Sequence, residues 1–140
     1  MERYLNIRSA SRPSYAPNTD DIAYLTAVTE VNQVWKHPAR GGWPEQLTFF
    51  NDRVLDVEWS PRGDLILFTK DQGGDERAQL YLMDPEGESI EALTSSPKVI
   101  HEFGGFSRDG AWICYSSNER TERLFDVYVM ELATRKARRL

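Results

Sequence analysis

Apolar and polar residues alternate in short segments of this chain, and turn residues separate the segments. Residues 54–59 (VLDVEW) follow a period close to two, which predicts a strand with two different faces. Residues 65–68 (LILF) are apolar throughout, which is typical of a strand covered on both faces. Between them, Ser60-Pro61-Arg62-Gly63 predicts a tight turn, because proline presets φ and glycine tolerates positive φ. No segment shows a helical apolar stripe, so the pattern predicts an all-β fold.

The same pattern returns three times. Leu47, Leu93 and Leu140 close successive units of 46 or 47 residues, and turn-plus-strand segments start at positions 16, 60 and 107. The middle unit contains four predicted strands at 54–59, 64–70, 78–84 and 89–94. Four short antiparallel strands in a repeat of this length predict one blade of a β-propeller. The predicted organisation is therefore three four-stranded blades, at about 9–48, 53–94 and 99–140.

Three blades form only part of a propeller, since closed rings contain about four to eight blades. We therefore expect an incomplete propeller that is a fragment of a longer polypeptide.

The turn of the first unit contains no glycine. Thr19 and Asp20 occupy this turn, where the other two units have glycine. That turn is expected to place Asn18 or an aspartate in the left-handed region, which these residues tolerate better than other non-glycine residues.

Charge and composition narrow the function classes. The net charge of −5 and the pI near 5.1 argue against nonspecific nucleic-acid binding, which needs a basic surface. The basic residues in 135–139 are predicted to form the solvated face of the last strand.

Cys114, the single cysteine, is expected to be buried as a small apolar residue. Residues 1–8 lack a signal-peptide core and no segment resembles a membrane span, so a cytoplasmic location is expected.

No metal or cofactor site is predicted. His37 and His101 are the only histidines, neither has a second ligand at metal-binding spacing, and both are expected in loops. Asp71, Asp75 and Glu76 could surround a cation, but they do not match the alternating oxygen ligands of a calcium loop. The glycines between them favour a bending loop instead.

Two motifs resemble known sites and are excluded. Gly105-Phe106-Ser107-Arg108-Asp109 is one glycine short of a G-x-S-x-G nucleophile elbow. Ser107 stands in register with Ser60, and a strand follows it where an elbow needs a helix. Residues 40–43 (RGGW) are predicted to form a turn, because they lack the lysine and helix of a phosphate loop. The sequence therefore predicts no catalytic residue within these 140 residues.

The second and third units resemble the N-terminal propeller of prolyl oligopeptidase family serine peptidases, in particular acylaminoacyl-peptidases and dipeptidyl-peptidase-like members. The resemblance covers nearly the whole chain and rests on residues 57–64, 73–76 and 79–84, and on residues 101–110, 117–120 and 125–129. In that family a propeller caps an α/β-hydrolase domain that carries Ser, Asp and His, and it restricts entry to short peptides. None of those catalytic residues has a counterpart here, because the matching domain is not in this sequence.

The resemblance implies that the chain is a propeller segment of a serine peptidase. Its expected partners are the missing blades, a C-terminal hydrolase domain and short peptides, with neither nucleic acid nor membrane. The turn-and-strand repeat is also similar to TolB-type propellers, which bind proteins and catalyse nothing, so a non-catalytic binding propeller is one alternative. A second alternative is a three-blade protein that closes a six-bladed ring as a homodimer. Whether the parent protein is an enzyme stays open at this stage.

Overall fold

The structure is a computed structural model that describes residues 9–140, which form twelve β-strands and no helix. The strands group into three four-stranded antiparallel sheets, each built from consecutive strands. The prediction of an all-β fold with three four-stranded antiparallel blades is therefore confirmed.

The three sheets are called blades 1, 2 and 3 in chain order. Blade 1 contains β1 (Ala10–Tyr15), β2 (Ile22–Thr26), β3 (Gln33–His37) and β4 (Glu45–Gln46). Blade 2 contains β5 (Val54–Trp59), β6 (Ile66–Lys70), β7 (Gln79–Met83) and β8 (Ile90–Ala92). Blade 3 contains β9 (His101–Phe106), β10 (Trp112–Thr121), β11 (Leu124–Glu131) and β12 (Ala137–Arg139).

The turn between the first two strands closes in the same way in every blade. One backbone hydrogen bond of 2.8 Å spans it, from Ala16 to Asp21, from Ser60 to Leu65 and from Ser107 to Trp112. Gly63 and Gly110 adopt positive φ angles of 74° and 69°. In blade 1 the left-handed residue is Asp20, with φ of 60°, so an aspartate takes that role rather than Asn18.

Every blade has an aromatic face and an aliphatic face, because side chains alternate across each strand. Cross-strand pairing places the following register-equivalent residues on the aromatic face: Tyr15, Ile22, Tyr24, Trp35 and His37 in blade 1; Trp59, Ile66, Phe68, Tyr81 and Met83 in blade 2; Phe106, Ile113, Tyr115, Tyr128 and Met130 in blade 3. The aliphatic face carries Ala23, Leu25 and Val34 in blade 1, Leu67, Leu80 and Leu82 in blade 2, and Cys114, Val127 and Val129 in blade 3.

The apolar core lies between the blades. One cluster joins the aliphatic face of blade 1 to the aromatic face of blade 2, and a second joins the aliphatic face of blade 2 to the aromatic face of blade 3. Stacked cross-strand rings support both junctions, with centroids 5.2 Å apart for Phe68 and Tyr81 and 5.5 Å apart for Tyr115 and Tyr128. Strand β6 is buried along its whole length because it contributes to both clusters.

Three local predictions are wrong. Cys114 is half-buried rather than buried, because its side of blade 3 faces no other blade in the described chain. His37 ends strand β3 and His101 begins strand β9, so neither lies in a loop. His101 is buried, because its strand β9 pairs with β10 and also contacts β7 of blade 2.

Residues 1–8, in which no signal-peptide core was found, lie outside the described residues. Among residues 9–140, no helix is present that could span a membrane.

Candidate functional site

Buried glutamines hold the connections between consecutive blades. The Gln33 amide donates to the carbonyls of Phe50 and Asp52 at 3.0 and 3.1 Å, and its Oε1 accepts from the Thr48 hydroxyl at 2.8 Å. These residues lie on the connection that enters blade 2. Because a buried amide with all these partners fixes the backbone path, Gln33 sets the position of blade 2 relative to blade 1.

Gln79 repeats this arrangement one blade later. Its amide donates to the carbonyls of Ser96 and Val99 at 3.0 and 2.8 Å, and its Oε1 accepts from the Ser96 backbone at 3.1 Å. At the equivalent position of blade 3 stands Asp126, which pairs with Arg120 at 2.6 Å and with Arg139 at 3.5 Å. These two arginines hold the pKa of Asp126 below its ordinary value, mainly through the Arg120 hydrogen bond.

At the opposite end of the blades, the turns are linked by side chains. Asn18 Nδ2 donates to the Arg62 carbonyl at 2.7 Å, and Arg62 Nε donates to the Asp109 carbonyl at 2.5 Å. Asn18, Arg62 and Asp109 occupy the same turn position in successive blades. Both ends of each blade junction are therefore fixed by hydrogen bonds in addition to the apolar core.

Ser107 is a turn residue in this geometry. Its hydroxyl donates to Asp109 Oδ1 at 2.6 Å and accepts from the Trp112 backbone at 3.0 Å. The Ser107 hydrogen bond and that of the Ala111 backbone lower the pKa of the Asp109 carboxyl, which makes it a weaker base. Ser60 also donates to a carboxylate of its own turn, Asp64 Oδ1 at 2.7 Å, which lies two positions further along than Asp109 does in blade 3, so both hydroxyls serve to close their turns.

His101 is not placed to activate Ser107. It begins strand β9, whereas Ser107 follows the end of that strand, so the two residues are roughly 17–20 Å apart at about 3.3 Å per residue. Burial lowers the pKa of His101, and its Nδ1 lies 3.3 Å from the Ala78 carbonyl. The group that Ser107 does contact is the Asp109 carboxylate, whose lowered pKa makes it a poor base for activating a hydroxyl.

The glycine-rich segment 71–77 forms a self-supporting loop. Asp75 Oδ1 accepts from the backbone of Gln72 at 3.4 Å and of Arg77 at 2.9 Å. Gly73 and Gly74 adopt positive φ angles of 61° and 74°. No group of three or more potential metal ligands occurs among residues 9–140.

A partly buried charged cluster connects this loop to the segment between blades 1 and 2. Lys70 Nζ lies 3.5 Å from Asp52 Oδ2 and 5.0 Å from the Phe50 ring centroid, while Asp71 Oδ2 pairs with Arg53 at 3.2 Å. The remaining oxygen of Asp71 is buried without a hydrogen-bond partner in the described chain. The backbone of Gly73 donates to Asp52 Oδ1 at 2.8 Å, so the cluster supports the loop.

The basic residues of 135–139 are exposed, and two of them form ion pairs. Arg135 binds Glu91 of blade 2 in a bidentate geometry at 3.0 and 2.7 Å, and Arg139 pairs with Asp126. Their positions on and beside the outer strand β12 agree with the predicted solvated face. Arg135 also joins blade 2 to blade 3, which the sequence pattern did not show.

The most distinctive surfaces are two open blade faces. On the aromatic face of blade 1, Tyr15 is 65% exposed, whereas Trp59 at the same position of blade 2 is 5% exposed. On the aliphatic face of blade 3, Val127 is 50% exposed, whereas Leu80 at the same position is fully buried at 0%. Both faces carry side chains of the kind that form the blade junctions, and in the described chain no sheet covers them.

No protein-family model matches the chain. The chain is 29% identical over 124 residues to dipeptidyl aminopeptidase BIII of Pseudoxanthomonas mexicana, which covers 85% of this chain and 18% of the relative. It is 38% identical over 56 residues to the Tol-Pal system protein TolB of a Wolbachia pipientis strain from Culex pipiens, which covers 40% of this chain and 13% of the relative. The chain thus spans less than a fifth of either relative.

Solved structures identify the fold. A TolB-like protein from Agrobacterium tumefaciens superposes with a TM-score of 0.76 at 18% identity, over 94% of this chain and 48% of that one. The chain has a TolB-like propeller fold. Dipeptidyl peptidase 4 of Porphyromonas gingivalis superposes with this propeller segment at a TM-score of 0.75 and 15% identity, over 96% of this chain and 19% of that one. This arrangement of blades therefore occurs both in a TolB structure and in a dipeptidyl peptidase structure.

Proposed function

We propose that this chain supplies blades to the propeller of a serine peptidase, where the propeller covers a hydrolase domain and admits short peptides. The observation that carries the proposal is the 29% identity to a dipeptidyl aminopeptidase, which extends over 85% of this chain. An alignment of that extent includes residues of all three blades. The family resemblance of the second and third repeats points in the same direction.

The internal supports of the blades suit a covering role. A domain that limits access to an active site has to hold its shape while substrates pass. Gln33 and Gln79 fix the blade connections at one end, and Asn18 and Arg62 link the turns at the other. Because Ser107 is engaged in its turn, the chemistry is assigned to a separate domain of the peptidase.

Activity measurements on the 140-residue chain test this division of roles. We expect no hydrolysis of aminoacyl or peptidyl chromogenic substrates, since no histidine lies within reach of Ser107 and the Asp109 carboxylate that it contacts is a weak base. Turnover that Ser107→Ala abolishes would contradict the proposal, and Ser60→Ala is the matched control for loss of a turn hydroxyl.

The 38% identity to TolB over 56 residues favours one alternative, a propeller that binds protein and has no hydrolase domain. Sequencing the gene beyond codon 140 separates the two functions. A G-x-S-x-G elbow followed by Asp and His supports the peptidase, whereas further repeats followed by a stop codon support the binding propeller. A frame with neither continuation contradicts both.

A further inference from the structure

His101 stands at a position that is apolar in the preceding blade. Val54 and His101 each begin the first strand of their blade, and each donates its backbone N–H to the preceding blade. Val54 donates to the Asn32 carbonyl at 2.8 Å, and His101 donates to the Ala78 carbonyl at 3.0 Å. Val54 is fully buried in the apolar cluster between blades 1 and 2. His101 is 2% exposed, so the equivalent place in the next junction holds a buried ring that can take up a proton.

The ring of His101 lies in the junction between blades 2 and 3. It pairs with Ser117 of β10, which puts its side chain on the aromatic face of blade 3, and its centroid is 5.8 Å from that of the Tyr115 ring. Its Nδ1 lies 3.3 Å from the Ala78 carbonyl of blade 2. When Nδ1 donates to this carbonyl, a further proton goes to Nε2 and gives the ring a full positive charge inside the junction.

The groups that face His101 do not compensate for its burial. Strand β10 contributes the Glu119 carboxylate, which favours the charged ring, but burial has the larger effect and lowers the pKa of His101. Burial also raises the pKa of Tyr115 to about 12, so this phenol keeps its proton near neutral pH. The closed junction therefore favours the neutral imidazole.

The other charged groups near the start of β9 are directed elsewhere. Glu102 lies on the opposite face of blade 3, where it accepts from the Ser116 hydroxyl at 3.0 Å. Arg77 donates to a backbone carbonyl of the connection between the blades at 3.4 Å, and Lys98 is exposed. Carboxylates and basic side chains ordinarily titrate outside the range of pH 5.5 to 7.5, so His101 is the member of this group whose charge changes there.

We propose that protonation of His101 loosens the junction between blades 2 and 3, so that this junction opens more readily in mildly acidic solution than the junction between blades 1 and 2 does. A buried histidine that is held neutral takes up its proton in an open state, where the ring reaches water. With a neutral ring in the closed junction and an ordinary pKa near 6.5 in the open one, the opening equilibrium rises up to about 10-fold between pH 7.5 and 5.5. This inference goes beyond the proposed function and does not depend on a hydrolase domain.

Amide hydrogen exchange of the 140-residue chain, resolved by residue with NMR at pH 7.5 and 5.5, tests the proposal. Each observed rate is compared with the intrinsic rate at the same pH, so that the protection factor reports opening of the structure. We expect the protection of the His101 and Ser96 amides to fall about 5- to 10-fold at pH 5.5. The Val54 and Phe50 amides are the matched controls, because they make the equivalent hydrogen bonds in the first junction, and their protection should fall less than about 2-fold.

Histidine variants separate this effect from other effects of pH. His101→Val introduces the residue found at the equivalent position 54, and it should remove the pH dependence of the Ser96 amide. His37→Gln changes the other histidine, which is half-buried in blade 1, and it should leave that dependence in place. Circular dichroism checks folding, and His101→Gln replaces His101→Val if that variant is unfolded.

Four results would overturn the proposal. Protection at Ser96 and His101 that does not change with pH contradicts it, as does a decrease at Ser96 that persists in the His101 variant. A pH dependence that disappears in His37→Gln would assign the effect to the wrong histidine. An equal decrease at both junctions would place the effect in global unfolding rather than in one blade junction.

Discussion

Phe68 provides the sharpest test of the blade junctions. Its side chain is fully buried on strand β6 and packs against two rings, with centroids 5.2 Å from that of Tyr81 and 5.8 Å from that of Phe50. A buried phenylalanine loses about 3 to 5 kcal/mol of stability on replacement by alanine, because transfer energy and cavity cost add. Since β6 is covered on both faces, collapse of its neighbours into the cavity is restricted, and Phe68→Ala should fall within this range.

Urea unfolding followed by circular dichroism measures the effect. With a slope of about 2 kcal/mol per molar urea, the expected loss lowers the midpoint by about 1.5 to 2.5 M. Phe49→Ala makes the same chemical change at a position that is 77% exposed, and it should change stability by less than about 0.5 kcal/mol. A loss below about 1 kcal/mol for Phe68→Ala would refute the assignment of β6 as a two-sided core strand.

Three further predictions use the same unfolding measurement. Gln79→Ala should cost at least about 2 kcal/mol, because it removes the three hydrogen bonds that this buried side chain makes with the backbone of Ser96 and Val99. A loss under about 0.5 kcal/mol would contradict the role of Gln79 in holding the connection between blades 2 and 3. Gly87→Ala should lower the free energy of unfolding more than Gly74→Ala does. Both glycines have positive φ, but only at Gly87 would an added Cβ lie 2.7 Å from the Leu47 carbonyl oxygen. Equal losses of stability would argue against that close approach. Lowering the pH from 7.5 to 5.5 should reduce the free energy of unfolding, because burial lowers the pKa of His101 in the folded chain. In the unfolded chain this histidine has its ordinary pKa near 6.5, so below that pH the unfolded chain binds more protons than the folded chain. His101→Gln should reduce this pH dependence, and an unchanged slope would contradict the prediction.

The repeat pattern predicted the architecture well because turns and strands in this chain are encoded locally. The predicted strand 54–59 coincides with β5, and the turn residues at 60–63 close the hairpin as expected. Strand β6 starts at Ile66 rather than at position 64, because the backbone of Leu65 accepts the hydrogen bond that closes the turn. The register of Ser107 with Ser60 likewise predicted that Ser107 lies in a turn, which is where the structure places it.

Long-range packing could not be obtained from the repeat alone. The equivalence of Gln33 and Gln79 was visible in the sequence, but their partners lie 15 to 20 residues further along the chain. The positions of His101 and Cys114 were predicted wrongly for the same reason. Whether such a residue is buried depends on which sheet lies against it.

The sequence by itself determined three four-stranded units, their turns and the alternation of side chains along each strand, because these depend on residues close together in the chain. Only the tertiary structure decided which face of each blade meets which, since Leu80 and Val127 occupy the same repeat position and differ only in what covers them. The exposed fraction of a side chain is a property of the neighbouring sheet as much as of the residue. For that reason the two open faces became visible only when the blades were stacked.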